Sequence, residues 1–127
     1  MSEFILYHNP RWGKSRGAVS LLEENGVEFT KVEYLKAPLS KHEILSLSKK
    51  LGIAPSGFVR KNESDFKEND FENILNDDVA LAQAIEKFPK IMERPIAVRG
   101  ERAVIGRPVE NVLTIIKWQE MSYDENN

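Results

Sequence analysis

Phe4-Ile5-Leu6-Tyr7-His8-Asn9-Pro10-Arg11-Trp12-Gly13-Lys14-Ser15-Arg16 and the stretch that follows it, to Asn25-Gly26, decide the fold. Phe4 to Tyr7 is a run of bulky and β-branched residues that reads as a buried strand, and His8-Asn9-Pro10 stops it with a turn signal. From Ser15 onward, Ala18, Leu21 and Leu22 supply an apolar face at helical spacing. Asn25-Gly26 is a stop, so the spacing predicts a helix from about Ser15 to Glu24. Past the glycine, Val27, Phe29, Val32 and Tyr34 alternate with polar residues, which predicts a second strand over Val27 to Leu35, ended by Ala37-Pro38. Strand, loop, helix and strand make a βαβ unit, whose strands run parallel through a right-handed crossover in nearly every known case.

Working outward, Ser40 with Glu43 three residues on is a capping box, and Ile44, Leu45, Leu47 and Leu51 carry a helix as far as Gly52. From Pro55 to Glu93 the pattern is helical but broken. It is charge-rich around Asn62 to Asp78, then apolar at Val79, Leu81, Ala82, Ile85 and Phe88 before Pro89. Pro95 to Val98 and Ala103 to Ile105 are short apolar runs around Arg99-Gly100-Glu101-Arg102, which predicts a β-hairpin. Pro108 occupies a favoured first-turn position, with Val109, Val112, Leu113 and Ile116 as the inner face of a last helix. Trp118 and Tyr123 read as packing or tail residues, and the tail from Tyr123 to Asn127 as frayed. The expected fold is α/β, a mixed four-stranded sheet with a helical insertion, at about residues 40–93, between βαβ and ββα halves. That order is the order of a thioredoxin-like domain, although order alone leaves other α/β folds open.

The composition sets limits on function. The 127 residues are enough for one domain with a core that needs no disulfide or metal staple, so residues 1–127 are expected to be a single domain. Eighteen basic against twenty acidic residues give a net charge of −2 with no basic tract, which argues against nucleic acid. There is no membrane-length apolar run and no secretory layout at the N-terminus, so the expected location is the cytoplasm, with no membrane partner. Zero cysteines exclude disulfides, thiolate zinc sites and cysteine nucleophiles, and two histidines give little support for a metal. Nothing suggests a bound cofactor, and a monomer is expected.

The loop from His8 to Arg16 is the stretch with chemical content. Backbone N–H groups at a helix start are unpaired and the helix dipole is positive there, so an anion is favoured at the loop. The same field lowers the pKa of a cysteine placed there.

Four separated motifs are similar to those of the arsenate reductases that couple to glutaredoxin and glutathione, and of their relatives of unassigned substrate. They are His8-Asn9-Pro10 with Ser15-Arg16, Gly57-Phe58-Val59-Arg60-Lys61, Glu93-Arg94-Pro95-Ile96 and Ile105-Gly106-Arg107-Pro108. The resemblance implies a thioredoxin fold and reduction of arsenate to arsenite, with glutathione as co-substrate and glutaredoxin as partner. It further implies that position 12 holds the nucleophilic cysteine, that Arg60, Arg94 and Arg107 line an oxyanion pocket, and that His8 favours the thiolate. Guanidinium groups suit such a pocket, since they grip tetrahedral oxyanions through paired, charge-assisted hydrogen bonds. Arg94-Pro95 falls where thioredoxin folds carry a cis proline, so a cis bond is expected there.

This chain departs from the pattern at the decisive place: it has Trp12. No other residue replaces the thiol. Ser15 is an unactivated hydroxyl that forms no redox-active link to arsenic. The chain as given is therefore expected not to reduce arsenate while retaining a cationic pocket for arsenate, phosphate or sulfate.

Plainer readings stand beside these. A lone surface arginine is commonly a solvated charge, but three in motif context argue for the pocket. His8 closes a strand and is equally read as satisfying local backbone groups, and Ser15 reads as a helix cap rather than a functional group. Trp12 either buries apolar area or fills the pocket and stacks on an arginine.

Two other functions stay open. One is an interaction module resembling the RNA-polymerase-binding regulators of this fold. The other is a selenocysteine enzyme represented with tryptophan, because the TGG codon is a single base from TGA.

Overall fold

The hydrophobic runs pair into one sheet. The structure, a computed structural model, describes residues 3–116. Strand β1 is Phe4–His8, and β2 is Thr30–Glu33. Strands β3, Ile96–Arg99, and β4, Arg102–Ile105, form the hairpin. The strand order is β2-β1-β3-β4 in a mixed sheet. Strand β1 lies antiparallel to β3 with Phe4 opposite Arg99 and Tyr7 opposite Ile96, and β3 lies antiparallel to β4 with Ile96 opposite Ile105. The hairpin loop is the short Gly100-Glu101, and Gly100 has the positive φ (59°) that a two-residue hairpin turn demands.

The chain divides into two compact units. One comprises the segments before Glu33 and after Glu93; the other is Glu33–Glu93. In the first, helix α1 (Gly13–Glu24) buries Ala18 and Leu22 against Phe4 and Leu6 of β1 and Ala97 of β3, with Val112 and Ile115 closing the same core. The alternation of β1 explains the sheet's part in this, since Phe4, Leu6 and His8 are its buried positions. Strand β2 is shorter than its alternation suggested. Val27 and Phe29 pack on the core from outside the strand, because alternation reports burial and not ladder pairing. At the C-terminal end a 3-10 turn, Val109–Asn111, precedes helical residues 112–116. Val109, Val112 and Ile116 pack in the core as expected, and Ile115 is buried there in place of Leu113. The readings of Trp118 and of Tyr123 to Asn127 lie outside the described residues.

In the second unit, helix α2 (Lys41–Leu51) has its full capping box. Ser40 accepts the Glu43 N–H at 3.1 Å and Glu43 accepts the Ser40 N–H at 2.9 Å, while Gly52 ends the helix in the left-handed region. Helix α2 packs against α4 (Asp78–Lys87), whose Asp77 cap accepts the Ala80 N–H at 3.1 Å. The broken stretch between them becomes a 3-10 turn at Pro55–Phe58, the short helix α3 (Ser64–Glu68) and a further 3-10 turn at Phe71–Ile74. Phe66, Phe71 and Phe88 meet in sequence, with ring centroids 6.0 and 5.6 Å apart. Among the described residues no helix is long and apolar enough to cross a membrane.

Candidate functional site

The β1–α1 loop is held by its own short-range bonds. Asn9 Oδ1 accepts the Arg11 N–H at 3.0 Å, an Asx turn, and the Asn9 N–H donates to Ser15 Oγ at 3.3 Å. The Trp12 N–H donates to the Asn9 carbonyl at 3.0 Å, and the Trp12 carbonyl accepts the Arg16 N–H at 3.0 Å as the first helical bond. Arg16 Nη1 reaches back to the Pro10 carbonyl at 3.0 Å. Asn9 is thus the organising residue of the loop, a role sequence reasoning did not assign to it, although an Asn beside a Pro is a turn signal.

Helix α1 begins two residues earlier than its apolar spacing indicated. Trp12, in extended conformation, is its N-cap and supplies no side-chain cap. Ser15 is therefore not the cap. It is fully buried inside the first turn, and its hydroxyl braces the loop from within. The first turn of α1 contains no acidic residue, and Arg11, Lys14 and Arg16 are exposed around it. Acidic side chains ordinarily complement a helix start, so this one keeps its positive field uncompensated by its own first turn.

Arg94 meets that helix start. Its Cζ lies 4.0 Å from the centre of the Trp12 ring, a cation–π contact, and the residue is only 4% exposed. The peptide bonds Arg94–Pro95 and Arg107–Pro108 are both cis. Pro108 does not open an α-helix. It is extended (ψ 161°) and serves as the N-cap of the 3-10 turn. Arg107 is exposed and belongs to a segment drawn close to Pro95 by its neighbour, since the Gly106 N–H donates to the Pro95 carbonyl at 2.8 Å. His8 is buried on the core face of β1.

Arg60 belongs to the second unit and is engaged there. Its Nε is 3.3 Å from a Glu63 carboxylate oxygen and its Nη1 is 3.4 Å from that of Glu93. Backbone bonds surround this clasp. The Arg60 N–H donates to the Ile91 carbonyl at 2.6 Å, the Glu93 N–H to the Phe58 carbonyl at 2.8 Å, and Val59 pairs with Met92 in an isolated bridge. Sequence reasoning placed Arg60 beside Arg94 and Arg107 and gave no weight to the two glutamates, of which Glu63 stands at the local i,i+3 spacing and Glu93 lies 33 residues away in the chain. Among the described residues no group of acidic, histidine or cysteine side chains is arranged to hold a metal ion.

A mixed four-stranded sheet with helices, opening on a strand, a structured loop and a helix start, defines a thioredoxin-like α/β domain. Within that class the chain belongs to the ArsC family, whose model matches residues 7–115. The arsenate reductase of Neisseria meningitidis serogroup A is 39% identical over 117 residues, covering 91% of this chain and 100% of that protein. The uncharacterised Escherichia coli protein YfgD is 43% identical over 112 residues, covering 87% of this chain and 94% of its own. Among solved structures, the arsenate reductase from Vibrio cholerae superposes with a TM-score of 0.85 at 36% identity, covering 90% of this chain and 98% of that one.

Proposed function

We propose that this chain is an oxyanion-binding member of the arsenate reductase family whose reductive step is absent because position 12 is tryptophan. The observation that carries the reading is Arg94, a guanidinium buried to 4% exposure at the uncapped start of α1. A buried charge in contact with a helix N-terminus suits a tetrahedral oxyanion. The guanidinium offers parallel in-plane N–H donors, and the helix start adds backbone N–H groups and the positive end of its dipole. Arg107 is the natural second cation, being exposed on the segment bonded to Pro95. Arg60, already countered by Glu63 and Glu93, is not counted among the anion's ligands.

Reduction of arsenate in this family's manner needs a protein sulfur to form the arsenic adduct, which glutathione and glutaredoxin then resolve. With no cysteine in the chain, arsenate, phosphate and sulfate are equivalent to it as bound tetrahedral anions. Trp12→Cys places a thiol at the head of α1, where the helix field favours thiolate. The test is arsenate-dependent NADPH oxidation coupled through glutathione and glutaredoxin, on the chain as given and on Trp12→Cys. The chain as given is expected to be silent and Trp12→Cys active. Silence in both would mean that the loop no longer supports the chemistry, and would turn attention to a redox-independent interaction role.

A further inference from the structure

Arg99 is a half-buried cation that the fold itself leaves uncountered. It ends β3 opposite Phe4 of β1 and, with Phe4, Val27, Phe29 and Ile116, lines a cleft of about 700 Å³ within the first unit. Its Nε is shielded from water and finds no acceptor. Among the described residues its guanidinium makes no hydrogen bond and has no carboxylate within ion-pair distance, in contrast to Arg60 with oxygens at 3.3 and 3.4 Å. The Phe4 ring centre is 6.0 Å from its Cζ, the outer limit of a cation–π contact, so the ring offsets little of the charge. An orphaned polar group of this kind calls for a partner, and the Nη donors are left for an acceptor from outside the chain.

The cleft lies at the end of the sheet away from the β1–α1 loop. Phe4 opens β1 and His8 closes it, about 13 Å apart at the rise of a strand. Asn25 and Gly26, which follow the C-terminal end of α1, also line the cleft. It is therefore separate from the oxyanion site proposed above and stands without it. Its volume falls in the range of small-molecule pockets. Val27, Phe29 and Ile116 are only half-buried, and the Phe4 and Phe29 rings meet edge-on at 6.5 Å. Covering this apolar wall removes it from water, which favours a ligand with a hydrocarbon or aromatic body.

Two acidic residues limit the charge of that ligand. Glu3 and Glu28 line the same cleft, both exposed, and Glu3 Oε2 already accepts the Thr30 hydroxyl at 2.8 Å. Water and salt screen them without removing their repulsion, so a dianionic phosphate is disfavoured relative to a single carboxylate.

We infer that this cleft is a binding site for a small amphipathic carboxylate, with the carboxylate on the Arg99 guanidinium and the apolar body over Val27, Phe29 and Ile116. A carboxylate supplies the charge-assisted hydrogen bonds that Arg99 lacks inside the fold.

The experiment is titration of the full chain with hydrocinnamate, a phenyl ring on a short carboxylate chain, followed by backbone amide NMR. Saturable binding in the millimolar range or tighter is expected, with shifts gathered at residues 25–30, Phe4 and Arg99 and not at residues 11–16. Hydrocinnamide, which keeps the body and lacks the charge, is expected to bind about tenfold more weakly, as is hydrocinnamate to Arg99→Met, which keeps the aliphatic stem without the guanidinium. The amide comparison uses the unaltered protein, so it holds whatever Arg99→Met does to folding. Absence of saturable hydrocinnamate binding, equal affinity for acid and amide, or shifts centred on residues 11–16 would each overturn the proposal. So would inorganic phosphate moving the cleft amides at lower concentration than hydrocinnamate, which would make the site one for phosphate.

Discussion

Gly106 shows how tightly the first unit is packed where the arginines of interest emerge. A methyl group there would lie 2.8 Å from Pro95 Cγ and 3.2 Å from Val112 Cγ1, one a rigid ring and the other a core side chain. Neither gives way easily. Gly106→Ala is expected to cost about 1–3 kcal/mol through overpacking, measured as a lower urea midpoint at unchanged m-value. The glycine is required by close approach and not by its backbone angle. At the same scale, Trp12 holds two quite different properties. Its identity removes thiol chemistry, while its ring supports the charge on Arg94. The first was readable from the sequence. The second was one of two readings left open for the loop aromatic, and choosing between them took the spatial partner.

Among the elements, the caps behave as local chemistry dictates. Ser40, Glu43 and Gly52 bound α2 where the capping box and left-handed glycine place them. The exceptions arise where neighbours in space intervene. Helix α1 starts earlier than its apolar spacing because the bonds among Asn9, Trp12 and Arg16 wind its first turn, and at the C-terminal end Ile115 joins the core in place of Leu113. The Arg60 clasp is an element-scale feature of the same kind. With Val59 paired to Met92, it ties together the two ends of the stretch containing α3 and α4. Both carboxylates and the guanidinium are largely shielded, with side-chain exposures of 18–25%. Arg60→Met leaves Glu63 and Glu93 without the intervening cation. It is expected to destabilise the protein by about 1–3 kcal/mol, between the values of exposed and buried pairs, while sulfate affinity stays within about twofold. A thermal melt and a sulfate titration on the same variant check both halves, and a large loss of affinity would return Arg60 to the anion's ligands.

At the scale of the whole molecule, each compact unit has its own buried side chains. Leu22 lies in the sheet-and-α1 core of the first, and Ile85 on the buried face of α4 in the second. Leu22→Ala and Ile85→Ala are each expected to cost about 2–5 kcal/mol, read by chemical denaturation, and a loss well below that range at either site would show that its surroundings collapse into the space. The sequence by itself determined the order of strands and helices, the α2 caps, the absence of a thiol and the family resemblance. All of these depend on residue identity and on neighbours within a turn or two along the chain, where periodicity and capping act. Only the tertiary structure decided that Trp12 meets Arg94 in a cation–π contact, that Arg60 is claimed by Glu63 and Glu93, and that Gly106 has no room for a side chain. The Trp12 and Gly106 contacts, and the one from Arg60 to Glu93, join residues far apart in the chain. Glu63 lies within a turn of Arg60, but which side chain claims that guanidinium depends on how the chain folds back and excludes water, which no local pattern of residues encodes.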